Sequence, residues 1–288
     1  MNEPVDFATF WALFGPAVLA ALVAATLCGF LGFFVVTRRI AFVSAALGQV
    51  SGLGVAAGFF VGSLFGADPH EPTPLWLDPV VLALVLTAWV AMALAYVTRV
   101  QRAPAESAVA VVYLVATALA ILLLASPRLA LEKHEVEMLL FGNAVAVTNE
   151  HLVELGVVAA LVLVSQVFLF KDLVFVSFDR EMAKTLGLPV TTLELTLHVS
   201  VGVSVAVATR AIGALPVFGF LVLPAGAALL VSDSVRGVLL LSILGAVIAA
   251  ATGFYVSFVE SVPTGPTMVV VAAAYWPVAA LARYLSTR

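Results

Sequence analysis

What most constrains this chain is a succession of nine apolar runs within 288 residues, each near the roughly 20 residues that an α-helix needs to cross a hydrocarbon core. They fall at about 10–37, 40–65, 79–98, 107–125, 151–170, 190–209, 212–232, 237–258 and 266–284. Soluble domains carry about a quarter charged residues, whereas here 10% are charged and 63% hydrophobic, with a mean hydropathy of +1.17. A water-facing surface cannot be built from so few charges, and a soluble enzyme is excluded. The fold class that follows is all-α: a polytopic membrane bundle of about nine helices, within bounds of eight to ten, forming one transmembrane domain over residues 1–288. Pro216 and Pro224 interrupt the seventh run, so a broken or re-entrant segment is expected there. The sparse charge leaves no basic face for nucleic acid. Cys28 is the single cysteine, which excludes an internal disulfide and a cysteine-rich metal site. Residues 1–10 contain Glu3 and Asp6 but no Lys or Arg. They lack the positive start of a cleavable signal, and insertion is expected to rely on the first helix.

Basic residues set the expected orientation. One side of the nine runs collects Arg38, Arg39, Arg99, Arg102, Lys171, Arg180, Lys184, Arg236, Arg283 and Arg288, and the other only Arg128, Lys133 and Arg210. The richer side is read as cytoplasmic, with the amino terminus outside and the carboxy terminus inside. The outer connections at 66–78 and 126–150 and the inner one at 171–189 are the longest. None has room for a nucleotide-binding domain, and no Gly-x-x-x-x-Gly-Lys-Ser/Thr phosphate loop occurs. Energy for any transport must come from an ion gradient or another subunit.

Several residues are candidates for mechanism. Gly48 and Gly52, and Gly54 and Gly58, stand four apart on one helical face, where small residues let backbones approach. Between Lys171 and Pro189, Asp179 is placed to cap a short helix, Glu181 suits its positive end, and Gly187 followed by Leu188-Pro189 stops it. Phe178, Met182 and Leu186 give that helix an apolar side needing lipid or a partner, unless it is a plain interfacial connector. Glu194 and His198 are ionisable residues of the sixth run, close enough to its cytoplasmic edge to snorkel. Arg210 reads as an interfacial anchor with Glu260 as a possible partner. In the second outer connection His134, Glu135 and Glu137 supply an imidazole and carboxylates for a metal, or form a solvated charged loop.

At this point the sequence resembles a known family. Glu181-x-Ala183 followed by Gly187 is similar to the signature of bacterial ABC-importer membrane subunits, in which a short cytoplasmic helix docks on the ATPase. Four stretches in order, Val35-Val36-Thr37-Arg38-Arg39-Ile40-Ala41-Phe42, Leu140-Phe141-Gly142-Asn143-Ala144-Val145, Ser177-Phe178-Asp179-Arg180-Glu181-Met182-Ala183 and Pro263-Thr264-Gly265-Pro266-Thr267, resemble the zinc/manganese ABC-importer permease family over about residues 10–285. The resemblance implies a multi-pass subunit of the bacterial cytoplasmic (inner) membrane, paired with a second copy of itself. It also implies two cytoplasmic ATPase subunits, an extracytoplasmic solute-binding protein and a divalent metal cargo. No catalytic residue and no cofactor of its own is expected. Asp179, Glu181, Ala183 and Gly187 become the ATPase-coupling residues. The chain departs from the family along the translocation path: where an Asp and, four residues later, a His are usual in the second span, Ala45 and Gln49 stand. Where an Asp usually precedes Pro-Ser/Thr-Gly, Ser261 stands, with Glu260 beside it. The alternatives are therefore a non-metal or chelated cargo, or an inactive paralogue that keeps the assembly surfaces. A proton- or sodium-driven carrier is a further reading, disfavoured because only Glu154 and Glu194 approach mid-membrane.

Overall fold

The computed structural model describes residues 7–65, 74, 78–100, 105–127 and 147–286. Among these the chain is all helix: α1 Phe7–Thr37, α2 Ala41–Leu64, α3 Pro79–Val100, α4 Ala105–Leu124, α5 Asn149–Phe168 and α6 Phe170–Phe178 come first. They are followed by α7 Arg180–Thr185, α8 Val190–Ile212, α9 Ala214–Val231, α10 Val235–Glu260, α11 Thr264–Ala273 and α12 Tyr275–Ser286. Nine stretches of the described residues are long and apolar enough to cross a membrane, α11 and α12 together making the last.

Helix α1 is apolar all round, the pattern of a helix with neighbours on every side. It packs against α5, α8, α9 and α10, and Ala20, Ala24, Leu27, Leu31 and Phe34 are wholly buried. The opposite pattern marks α4 and α5, where Leu119, Leu122, Leu161 and Phe168 are exposed. In water such a surface would aggregate; on a bundle of membrane-spanning length it is a face for lipid or for another subunit.

Close backbone approach fixes α2 against α3. A Cβ added to Gly54 would lie 2.5 Å from the Ala83 Cα, and one on Gly58 would run into Pro79. Of the two glycine pairs this one makes the packing face, while Gly48 borders a cavity.

The expected break in the seventh span is not found: α9 runs unbroken from Ala214 to Val231. Pro216 lies in the first turn, where a missing N–H removes no helical hydrogen bond, and Pro224 is accommodated within the buried helix. The helical run is interrupted instead at Gly213, which takes φ 90° between α8 and α9. The last span carries the interruption, at Ala274. Pro277 lies just beyond it and cannot donate to the Ala273 carbonyl one turn back. The 171–189 connection is mostly helical, since α6 follows α5 after Leu169 and α7 follows Asp179.

Candidate translocation cavity and coupling segment

Helices α2, α4, α8 and α9 border a cavity of about 700 Å³. Ala45 and Gln49, one turn apart on α2, both line it with Gly48, and Tyr113 of α4 and Phe218 of α9 complete much of the wall. Most of the lining is apolar, and Glu106 in the first turn of α4 is the one carboxylate among the lining residues, which include no His or Cys. Gln49 faces Thr117 across the helices, its Oε1 3.3 Å from a hydroxyl whose one proton has a nearer acceptor in the Tyr113 carbonyl, at 2.7 Å. The i, i+4 spacing placed both positions on one face, as the sequence indicated; that this face borders the cavity is the structure's contribution.

A second cavity of about 440 Å³ adjoins the first at the basic end, where Phe42, Glu106 and Val109 line both. Arg38, Arg39, Arg180, Glu194 and His198 also line it. Arg38 bridges helices here: its Nε donates to Ser177 Oγ at 2.7 Å and its Nη2 to the Leu173 carbonyl at 3.0 Å. Burial lowers the Arg38 guanidinium from its usual value, with Glu194 acting in the opposite direction, yet an arginine remains protonated in a protein. The α1–α2 turn is thereby fastened to α6, a link the sequence reading did not single out. His198 is buried, with Nδ1 2.8 Å from the Glu194 carbonyl oxygen.

The coupling segment has the expected local form. Asp179 caps α7, its Oδ1 accepting from the Met182 N–H at 2.8 Å, and Glu181 pairs with Lys184 at 2.7 Å. Gly187 has φ 78°. Its N–H donates to the Lys184 carbonyl and that of Leu188 to the Ala183 carbonyl, both at 3.0 Å, the paired bonds of a Schellman stop. Ala183 is wholly buried while Phe178, Met182 and Leu186 are 67, 52 and 64% exposed, so α7 rests on its small residue and presents Met182, with Phe178 before it and Leu186 after it adding to the apolar edge. Arg180 clamps the segment to α8 through two contacts with Glu194, at 3.0 and 3.2 Å.

At the far end Arg210 pairs not with Glu260 but with Glu154, at 3.0 Å, and lies 3.3 Å from His151 Nε2. The reason is topological: α5 packs on α8, bringing residues 56 apart together. Glu260 and Ser261 are exposed at the end of α10 and line neither cavity. Ser261 takes the left-handed conformation, φ 53°, and the Ser257 hydroxyl closes the turn by donating to the Val262 carbonyl at 2.6 Å. His134, Glu135 and Glu137 lie outside the described residues. Among the described residues no three His, Cys, Asp or Glu groups gather as a metal site.

A multi-span helical bundle with a partly open cavity and a short capped helix at one end is an architecture that fits a membrane transport subunit. A family model described as ABC 3 transport family matches residues 11–283, and the chain belongs to that family. It is 27% identical over 266 residues, covering 91% of this chain and 85% of the relative, to the "Manganese transport system membrane protein MntC" of Halalkalibacterium halodurans. It is 24% identical over 256 residues to the "High-affinity zinc uptake system membrane protein ZnuB" of Buchnera aphidicola, covering 88% of this chain and 92% of the relative. The fold matches the structure titled "PsaBC from Streptococcus pneumoniae in complex with Fab" with a TM-score of 0.79 over 98% of each chain, at 23% identity. The resemblance read from the four sequence stretches is thus borne out at the level of family and fold.

Proposed function

We propose that this chain is the membrane-spanning subunit of an ABC importer for divalent metal ions of the zinc or manganese class. It acts as a homodimer in a bacterial inner membrane, with its amino terminus outside, a separate ATPase docked at the basic end and a solute-binding protein delivering cargo at the other. It hydrolyses no ATP itself.

The observation that carries this reading is the geometry of α7. A six-residue helix is far too short to persist alone, yet this one is capped at both ends and fastened to α8 by Arg180–Glu194. It still leaves Phe178, Met182 and Leu186 uncovered. Rigid placement of an uncovered apolar edge suits a surface that a partner pushes on. Displacement of α7 has two routes inward: through Arg180 to α8, and through α6 and Arg38 to the α1–α2 turn. Both α2 and α8 line the cavity. Asp179, Glu181, Ala183 and Gly187 are accordingly the coupling residues, and Ala45 and Gln49 belong to the path. Ser261 and Glu260, which border neither cavity, are left outside that path.

Glu181→Lys tests this directly. The exchange puts a positive charge at the positive end of α7 and removes the Lys184 partner, while lying outside every span. Normal membrane levels with loss of ATPase co-purification are expected. A variant that retains and stimulates the ATPase like the parent would reduce α7 to a connector.

A further inference from the structure

We infer that Glu194 and His198 of α8 form a cation-binding pair at the inner end of the path, occluded by Arg180 and opened when α7 moves. The inference rests on the permease reading and adds to it a site and a gate.

The pair has the geometry of two ligands for one ion. Four residues apart on a helix, the side chains stand one above the other on the same face, with Cβ atoms about 5–6 Å apart. This is the spacing by which a single helix offers two ligands to one zinc ion. Both residues line the inner cavity. His198 is only 9% exposed, and its Nδ1 lies 2.8 Å from the Glu194 carbonyl oxygen. A carbonyl can only accept, so Nδ1 carries the proton and Nε2 of the neutral ring keeps the lone pair. An imidazole that donates from one nitrogen to a main-chain carbonyl is supported as metal-binding histidines are. Carboxylate and imidazole together suit zinc and manganese. The larger cavity offers a cation less, since α2 brings to it only Ala45 and the neutral amide of Gln49. Its one carboxylate among the lining residues, Glu106, also lines the inner cavity and so stands on the passage between the two. Two protein ligands leave the other coordination positions to water, which suits an ion in passage; among the described residues no third group closes the site.

As the helices stand, the pair is shut. Arg180 holds both Glu194 oxygens, Nε to Oε1 at 3.0 Å and Nη2 to Oε2 at 3.2 Å, the two-pronged grip that fits a guanidinium to a carboxylate. Three arginines, Arg38, Arg39 and Arg180, line the cavity against the carboxylates of Glu106 and Glu194, so a divalent ion meets net repulsion. Arg38 is tied to Ser177 and the Leu173 carbonyl, whereas Arg180 is the first residue of α7 and moves with it. Withdrawal of α7 uncovers Glu194 and carries a positive charge away from the ion in the same step. Linkage requires the converse: an ion on Glu194 and His198 competes with Arg180 and loosens α7. Occupancy of the path and position of the docking helix are thereby read against each other at one carboxylate.

The test uses the full permease–ATPase assembly, purified without a histidine tag and free of nucleotide, with Mn²⁺ as the probe. Binding is titrated through loss of the free-ion paramagnetic resonance signal, and the bound ion is examined for nitrogen modulation of its spin echo, the mark of an imidazole ligand. Arg180→Gln removes the competing guanidinium and should bind Mn²⁺ at least tenfold more tightly than the parent, with nitrogen modulation. Adding Glu194→Gln should abolish the gain; adding His198→Gln instead should weaken it and remove the modulation. Should the first double variant fail to reach the membrane, the second is read by the same two measurements. Unchanged affinity in Arg180→Gln, a gain that survives Glu194→Gln, or nitrogen modulation that survives His198→Gln would overturn the inference while leaving ATPase docking intact. A parent that binds no ATPase would instead sink the permease reading, and with it the gate.

Discussion

Gly187 shows how one backbone angle governs a partner surface. Its φ of 78° is left-handed, and a Cβ built there meets nothing within 4 Å, so a substitution is penalised by conformation and not by a clash. Valine at such an angle costs roughly 1–3 kcal/mol, whereas asparagine tolerates the region better. The chain can relieve the strain by opening the Schellman bonds from Gly187 and Leu188, which tilts the exposed edge of α7. Gly187→Val should therefore reach the membrane normally and lose most ATPase co-purification, with Gly187→Asn retaining the greater part. Equal retention by the two variants would show that the angle is irrelevant to docking. Charge partners are less legible than turns at this scale. Asp179 caps a helix that begins one residue later, so its partner could be read locally. Arg210 finds Glu154 because α5 and α8 are neighbours, a fact absent from any window of sequence around either residue.

Helices α6, α7 and α8 form a lever whose strength and function separate. The Arg180–Glu194 pair has side chains 45 and 14% exposed, and partial exposure to solvent limits such a pair to about 1 kcal/mol or less of stability. It is nonetheless the charged bridge from α7 to α8. Arg180→Gln should thus leave the melting temperature nearly unchanged and the ATPase still bound, but lower cargo-stimulated hydrolysis by about fivefold, the effect of losing ~1 kcal/mol of coupling. Undiminished stimulation would assign the transmission to the Arg38 route alone. Most of the elements were legible because apolar length is a strong signal in a bilayer. The prolines misled, since their effect depends on position within the turn. Pro216 sits where no N–H is needed, and the interruption of the last span precedes Pro277. The helical character of Phe170–Phe178 was also missed, because its apolar face is set by packing of Leu173 and Val176 in the core. The cavity itself was legible only as a departure, Ala45 and Gln49 where charge was expected; its volume depends on four helices coming together.

At the scale of the molecule, the nine spans and the distribution of basic residues constrain each other. An odd number of crossings places Arg38, Arg39, Lys171, Arg180 and Lys184 at one end, the end where α6 and α7 lie and where the second cavity is found. Basic residues flanking spans are retained on the cytoplasmic side, and an ATP-consuming partner must also reside there. With α7 as the proposed docking helix, both requirements fall on one end of the bundle. Miscounting a single span would separate them, reversing every later connection and leaving α7 on the side without ATP. Reporter fusions decide the matter: phosphatase fused near Glu71 or Glu137 should be active outside, and a cytoplasm-dependent fluorescent reporter after Arg102 or Lys184 should be bright. Phosphatase activity at Lys184 would invert the bundle and remove α7 from the reach of any ATPase. The reporter at Arg102 would then show whether the error lies before α4 or in the α4 or α5 crossing, because only a miscount beyond Arg102 leaves that fusion inside while moving Lys184 out.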